Sequence, residues 1–370
     1  MIEVASSSKR WHRESPKAIA LALVAGVVGL TLTTAAPGYS QARATSWTVL
    51  GGVGARNNAL AALRFLPKEI TINVGDSVQW KWGGGDAHTV YFPAEQKSPK
   101  QVVPSAAKED LIFNPAIVFP TGRSVDGSKP VSAGGIFPPD PSGQAPPPPA
   151  LTFSKEGTYE YLCLFHPGMR GAVIVRSAGS PRPATQAQVD AQARQEAAPA
   201  LAAAEKLFDS LKVQKEVGPD GKAAHVMPLR ASEATMGDVL RFLPSRLSIR
   251  MGETVTWRMD NPINIHTVTF IGKTDKMIDV VTVKPQKQGP PVLAVTPEAV
   301  RQSPQRTFAG SGMRNSGWLG TASYAEFAGY APLVKLSTSY SLTFTKTGVY
   351  PYHCAVHPFA GMRGAIVVSR

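Results

Sequence analysis

The chain is short of the residues that most often carry chemistry. Of 370 residues, two are cysteines (Cys163 and Cys354) and seven are histidines. Two thiols exclude a disulfide-rich scaffold and permit one disulfide at most. No His-x-His pair occurs, and the nine methionines are scattered rather than clustered. Nothing resembles a Ser-His-Asp triad, a phosphate-binding loop or a catalytic pair of carboxylates. Outside Ala18–Ala36, no run is apolar enough to cross a bilayer as a helix. Whatever chemistry the chain performs must be built from few side chains.

Glycine and proline are plentiful, at 33 and 32 residues, and 43% of the chain is hydrophobic. A loop-rich chain of ordinary apolar content suits β architecture better than a helical bundle. Residues 1–44 read as an export signal. Lys9, Arg10, Arg13 and Lys17 precede the apolar run Ala18–Leu30, and Ala42-Arg43-Ala44 has the small-x-small pattern of a cleavage site. The stretch Ala18–Ala36 is also near the length of an uncleaved anchor, but its threonines and the small-residue site favour cleavage. There is no twin-arginine pair. The expected location is periplasmic, extracellular or anchored on the outer side of a membrane. Removing residues 1–44 takes away five basic and two acidic side chains and leaves +10 of the net charge of +13. In an exported protein such a balance points away from nucleic acid and towards an acidic protein partner, an anionic membrane surface or plain solvation.

The chain repeats itself. Arg64-Phe65-Leu66-Pro67 recurs as Arg241-Phe242-Leu243-Pro244, followed by KEITINVGDSVQW (Lys68–Trp80) and SRLSIRMGETVTW (Ser245–Trp257). Apolar residues alternate at Ile70, Ile72 and Val74, and at Leu247, Ile249 and Met251, the mark of a half-buried strand. Gly75-Asp76 and Gly252-Glu253 then turn the chain into a second strand. The halves match again at their ends, FSKEGTYEYLCLFHPGMRGAVIV (Phe153–Val175) with FTKTGVYPYHCAVHPFAGMRGAIVV (Phe344–Val368), each reading as strand, tight loop, strand. The expected architecture is all-β: two homologous β domains at 45–178 and 225–370, joined by a linker at 179–224. Leu201, Leu207 and Leu211 fall near helical spacing in Thr185–Val213, so the linker is expected to hold a helix, with Pro199 as a candidate start or break. It reads as a spacer or packing strut. Each domain also has a long irregular middle, with PPDPSGQAPPPP as a polyproline-type loop in the first and Trp318, Tyr324, Phe327 and Tyr330 in the second. These segments either bind a partner or pack on the barrel.

The chemistry lies in the repeated part. Cys163-x-x-His166-x-x-Met169 recurs as Cys354-x-x-His357-x4-Met362, and His88-Thr-Val upstream recurs as His266-Thr-Val. Two histidines, one cysteine and one methionine are the donor set of a type 1 (blue) copper centre. Thiolate suits Cu(I), imidazole suits both oxidation states, and a weak axial thioether raises the potential. A lone histidine on a strand is usually structural, and a methionine near a turn is usually core. Here the full set of four occurs twice, at matched positions. A Cys163–Cys354 disulfide would sacrifice both sets, and zinc prefers four strong ligands.

These motifs resemble those of the plastocyanin/azurin family of cupredoxins, with a short loop of the amicyanin form in the first half and a plastocyanin-like loop in the second, and the resemblance implies two tandem Greek-key β-sandwich domains. The resemblance implies His88, Cys163, His166 and Met169 as copper ligands of domain 1, and His266, Cys354, His357 and Met362 as those of domain 2. It covers about half of the mature chain, by motif; the long middles and the linker depart from it. It further implies one-electron transfer between redox proteins such as cytochromes or other cupredoxins, with His166 and His357 as exposed electron ports stiffened by Pro167 and Pro358. Two-domain nitrite reductases and laccases add catalytic copper held by extra histidines. His353 directly precedes Cys354, the position from which nitrite reductases supply a catalytic-copper ligand, but only His225 and His353 remain for that purpose once His12 goes with the signal, so the chain reads as a carrier rather than an enzyme. Copper sequestration or delivery is the other alternative, weakened by the lack of methionine clusters.

Overall fold

The alternating segments form the strands expected of them. In the first half, Ile70 and Ile72 of strand Glu69–Asn73 are buried. The second-half equivalent, Arg246–Arg250, buries Ile249. Met251, expected to continue that apolar face, instead opens the turn and is 51% exposed. Gly75 (φ +92°) and Gly252 (φ +89°) take the left-handed conformation that these turns require. The acid that follows each glycine caps its turn: Asp76 accepts the Asn73 N–H (3.1 Å) and Glu253 accepts the Arg250 N–H (2.8 Å).

The computed structural model describes residues 44–108, 110–139, 147–218, 221–272 and 277–370. The export segment before Ala44 and most of the PPDPSGQAPPPP run lie outside the described residues. Among those described, no helix is long and apolar enough to cross a membrane. Each half is a sandwich. In the first, strands Glu69–Asn73, Arg170–Arg176, Gly157–Leu162, His88–Phe92 and Val131–Ile136 form one sheet, in that order. In the second, Arg246–Arg250, Arg363–Ser369, Gly348–His353, Thr269–Phe270 and Arg314–Asn315 do the same. Both face a single eleven-stranded sheet that runs through the two halves. Trp80, Phe65, Tyr161 and Phe92 fill the first core, and Trp257, Phe242, Tyr352 and Phe270 fill the second.

The large sheet is continuous because the repeats pair with each other. Strand Leu60–Leu66 lies antiparallel to strand Gly237–Val239, with Ala62 opposite Gly237, Ala61 opposite Asp238 and Leu60 opposite Val239. Counted from the repeated Arg-Phe-Leu-Pro, Ala61 and Asp238 are the same position in the two repeats. Equivalent residues thus face each other, and a local two-fold axis passes between them, as in an isologous dimer interface. A second bridge comes from the long middles, which build a four-stranded sheet of Val281–Lys284, Val292–Val295, Leu111–Phe113 and Val102–Pro104 from both halves. Trp318, Tyr324 and Tyr330 are buried beneath it in one cluster with Val102 of the first half, while Phe327 is 36% exposed. The middles therefore pack into the junction. All described residues belong to one compact unit, Ala42–Arg370.

The linker helix spans Gln186–Ser210 and runs through Pro199 without ending there. Thr185 and Gln188 form a capping box at its start. Val189, Ala193, Ala197, Ala200 and Ala204 line its buried face at spacings of three and four. These small residues let it lie close over the paired strands. A Cβ added to Gly237 would sit 2.2 Å from the Ala200 carbonyl oxygen.

Candidate metal centres

The sheet topology delivers each donor to one end of its sandwich. Cys163 follows strand Gly157–Leu162 and Met169 precedes strand Arg170–Arg176, so the loop between two antiparallel strands carries the cysteine, the second histidine and the methionine. Cys354, His357 and Met362 occupy the same loop between Gly348–His353 and Arg363–Ser369. The Cys163 N–H bonds the Met169 carbonyl at 3.0 Å, and the Cys354 N–H bonds the Met362 carbonyl at 2.9 Å, closing each loop at its base. His88 opens the adjacent strand His88–Phe92, and His266 is held by hydrogen bonds with Leu319.

Three donor atoms converge in each half. His88 Nδ1 and His166 Nδ1 are 3.1 Å apart, and Cys163 Sγ is 3.9 and 3.5 Å from them. In the second half, His266 Nδ1 and His357 Nδ1 are 3.1 Å apart, and Cys354 Sγ is 3.9 and 3.4 Å from them. Among the described residues these are the two groups of histidine, cysteine or acid able to hold a metal ion. All six residues are buried. The methionines share the clusters of their cysteines, Met169 at 1% and Met362 at 0% exposure. Both cysteines are free thiols. Burial alone would raise Cys163 and Cys354. The charge of His166 and His357, with bonds from both imidazoles of each group, outweighs it and holds both thiols well below their usual range. The thiolate is the form of cysteine that binds metal. Thr89 donates its N–H to Cys163 Sγ (3.4 Å), and Thr267 does the same for Cys354 (3.3 Å).

The structure corrects the picture of exposed loop histidines. His166 is 2% and His357 0% exposed. Their outer faces meet across the junction, and the long middles cover them. Both Nε2 atoms contact one oxygen of one residue, Asp86 Oδ2, at 3.2 Å from His166 and 2.8 Å from His357. Asn264 Nδ2 donates to the same oxygen (2.8 Å) and to Asp238 Oδ2 (2.9 Å), and it lies 3.3 Å from His357 Nε2. Burial would raise the Asp86 carboxyl, but the charge and N–H groups of His357 and His166 hold it well below the usual range. Sequence reasoning missed Asp86 and Asn264. A signal was present: each stands two residues ahead of the upstream histidine of its metal group, as Asp86-x-His88 and Asn264-x-His266.

The two spare histidines stand apart from these groups. His225 lies on strand Ala223–Ser232 opposite Val255, where the first half has Trp47 opposite Val78. Its Nε2 is 2.9 Å from Glu253, as the Trp47 Nε1–H is 3.1 Å from Asp76. His353 lies on strand Gly348–His353, its Nε2 3.1 Å from the Ile278 carbonyl oxygen.

Comparison with known proteins places the C-terminal end most firmly. Residues 323–369 match the profile of the copper binding proteins of the plastocyanin/azurin family. Amicyanin of Paracoccus denitrificans is 55% identical over 38 residues, which make up 10% of this chain and 28% of that protein. The match thus spans little more than a quarter of the relative. Among solved structures, an amicyanin variant in the Cu(I) form is 19% identical, covering 39% of this chain and 82% of that one with a TM-score of 0.20. A second variant, reduced at pH 4, is 20% identical and covers 44% and 100%, with a TM-score of 0.21. Over residues 323–369 the chain is thus similar to the copper binding proteins of the plastocyanin/azurin family, and its all-β fold rests on its own strands.

Proposed function

We propose that the chain is an exported one-electron carrier that holds two type 1 copper ions, one in each half. The supporting observation is the pair of buried His–Cys–His groups with matching geometry. Spacings of 3.1 to 3.9 Å suit a first-row ion at about 2.0 Å from nitrogen and about 2.3 Å from sulfur. The donor chemistry selects copper: a thiolate, two imidazoles and a nearby thioether. The ligands are His88, Cys163, His166 and Met169 in one centre, and His266, Cys354, His357 and Met362 in the other. Bound copper supplies a couple between its +1 and +2 states.

The chain's own part is to hold the donors still and dry. Thr89 Oγ1 accepts the Leu164 N–H at 2.7 Å, and Thr267 Oγ1 accepts the Ala355 N–H at 2.7 Å. Each bond ties the segment of the first histidine to the residue after the cysteine, so the donors change little when charge changes. A cavity of about 470 Å³ walled by Phe113, Phe165, Trp318 and Phe359 reaches His166; electrons enter on that side. Partners are redox proteins such as cytochromes or other cupredoxins. A mature charge of +10 favours acidic ones, with exchange slowing as salt rises.

The test is a visible spectrum of the mature protein with its copper-to-protein ratio. Two copper ions and an intense thiolate-to-copper band are expected. Cys163→Ser or Cys354→Ser should each remove about half of that band, and the double variant should bleach it. A colourless, copper-loaded wild type would sink the reading. Robust turnover of nitrite or oxygen that is lost in His353→Ala would replace the carrier by an enzyme.

A further inference from the structure

Within that two-copper reading, we infer that Asp86 couples the two centres, so that the charge state behind one loop histidine sets the potential of the centre behind the other. The observation is a single oxygen. Asp86 Oδ2 takes the outer nitrogens of both His166 (3.2 Å) and His357 (2.8 Å). With both rings directed inward through Nδ1, both Nε2 atoms carry protons and both donate to that oxygen. The first histidines offer no comparable link: among the described residues His88 Nε2 and His266 Nε2 have no hydrogen-bond partner. The outer hydrogen bonding of both centres thus converges on one carboxylate, itself 4% exposed.

Two donors on one oxygen compete. Positive charge behind an imidazole makes its N–H a stronger donor, and a stronger N–H bond in turn favours positive charge there. Loss of one unit of positive charge behind His166 weakens its hold on Asp86. Oδ2 then bonds His357 more tightly and stabilises the oxidised form behind it. One electron is gained at one centre, no proton leaves nitrogen and no bond is broken. The sign is anticooperative: the first electron makes the second harder to add, and by linkage the effect is the same in either order. The repeat explains why the oxygen can be shared. Asp86 and Asn264 are equivalent positions brought together by the local two-fold, and an amide opposite a carboxylate supplies a donor (2.8 Å) where a second carboxylate would repel.

The experiment compares midpoint potentials. The two single-centre variants, Cys163→Ser and Cys354→Ser, give the intrinsic difference between the centres. The wild type should show a wider separation than that difference, by about tenfold in equilibrium constant, or about 59 mV for a one-electron couple. In Asp86→Asn the excess should collapse, because a neutral amide oxygen is a weaker shared acceptor, and Asp86→Glu should restore part of it. A separate reading needs no change at Asp86: in half-reduced wild type, pulsed EPR of the remote imidazole nitrogen at the oxidised centre should differ from that in the single-centre variant. Two blue copper ions whose separation equals the intrinsic difference, or an excess that persists in Asp86→Asn, overturns the coupling and leaves the carrier standing. An unchanged remote-nitrogen signal overturns it as well. A chain that binds fewer than two copper ions overturns the two-centre reading and the coupling with it.

Discussion

The two centres differ in their loops and agree in their geometry. Two residues separate His166 from Met169 and four separate His357 from Met362, yet the imidazole nitrogens are 3.1 Å apart in both and the ring centroids 4.9 Å. The two extra residues leave the donors unmoved and go elsewhere. Ala360 is buried in the core of the first half, with Phe359 packed against that core, and the Ala360 carbonyl accepts a hydrogen bond from Arg241. The longer loop is thus a piece of the junction between the repeats. The donor triangle is fixed by strands and by the paired threonines, while loop length is free to serve the packing around it. The sharpest asymmetry is at the two-fold itself, where equivalent positions carry Asp86 and Asn264.

Making that position symmetric should have the largest effect. Asn264→Asp would place one new carboxylate against both Asp86 and Asp238, making three together, all buried. One of them would have to stay unpaired or take up a proton. The expected cost is about 3–5 kcal/mol, as for breaking a buried ion pair, read as a lower midpoint in denaturant for the metal-free protein. A midpoint equal to wild type would mean that the junction admits water or opens, and the shared-oxygen geometry would lose its basis.

The helix offers a second way to break the symmetry argument. It lies over Gly237, whose repeat equivalent is Leu60, a buried residue packed against Ala204. The same strand position is thus leucine under one side of the helix and glycine under the other, because the helix backbone passes directly over Gly237. Gly237→Ala should cost about 1–3 kcal/mol by overpacking, while Leu60→Ala should cost about 2–5 kcal/mol by leaving a cavity. Thermal or denaturant unfolding separates the two. Stabilisation by Gly237→Ala would show that the helix rides higher than its contacts indicate.

Much of this was legible in the sequence. The repeat, the strand alternation, the helix and the two His–Cys–His groups follow from local pattern, because each depends on spacing within one half. The junction was not legible. Asp86 and Asn264 look like loop polar residues until the opposite half arrives, and His166 looks like a surface ligand until Trp318, Tyr324 and Tyr330, some 150 residues further along the chain, are packed over its side of the sandwich. Tyr324 hydroxyl bonds the Phe165 carbonyl at 2.6 Å and Tyr330 hydroxyl bonds Gln101 at 2.6 Å. Burial that is created between repeats leaves no periodicity within either one. Pro199 misled for a related reason: packing on both halves holds a helix through a residue that lowers its propensity.

The smallest expected effect tests the same equivalence far from the centres. Asp76 and Glu253 cap equivalent turns, but Asp76 accepts from Trp47, a donor with no titration, whereas Glu253 faces His225. Burial would raise Glu253; the Arg250 N–H and His225 outweigh it and hold it below the usual glutamate range. A carboxyl with a depressed folded-state pKa stabilises the fold above its unfolded value, about 4.3, and that contribution is lost as pH falls through the folded-state value. Wild type should therefore lose stability on the acid side of about pH 4, and Glu253→Gln should start lower by about 1–2 kcal/mol at pH 7 and show a flatter acid limb. Unfolding of the metal-free protein in denaturant between about pH 3 and 7 gives both slopes. An acid limb of the same steepness in Glu253→Gln would assign the loss to other carboxylates and remove His225–Glu253 as the counterpart of Trp47–Asp76.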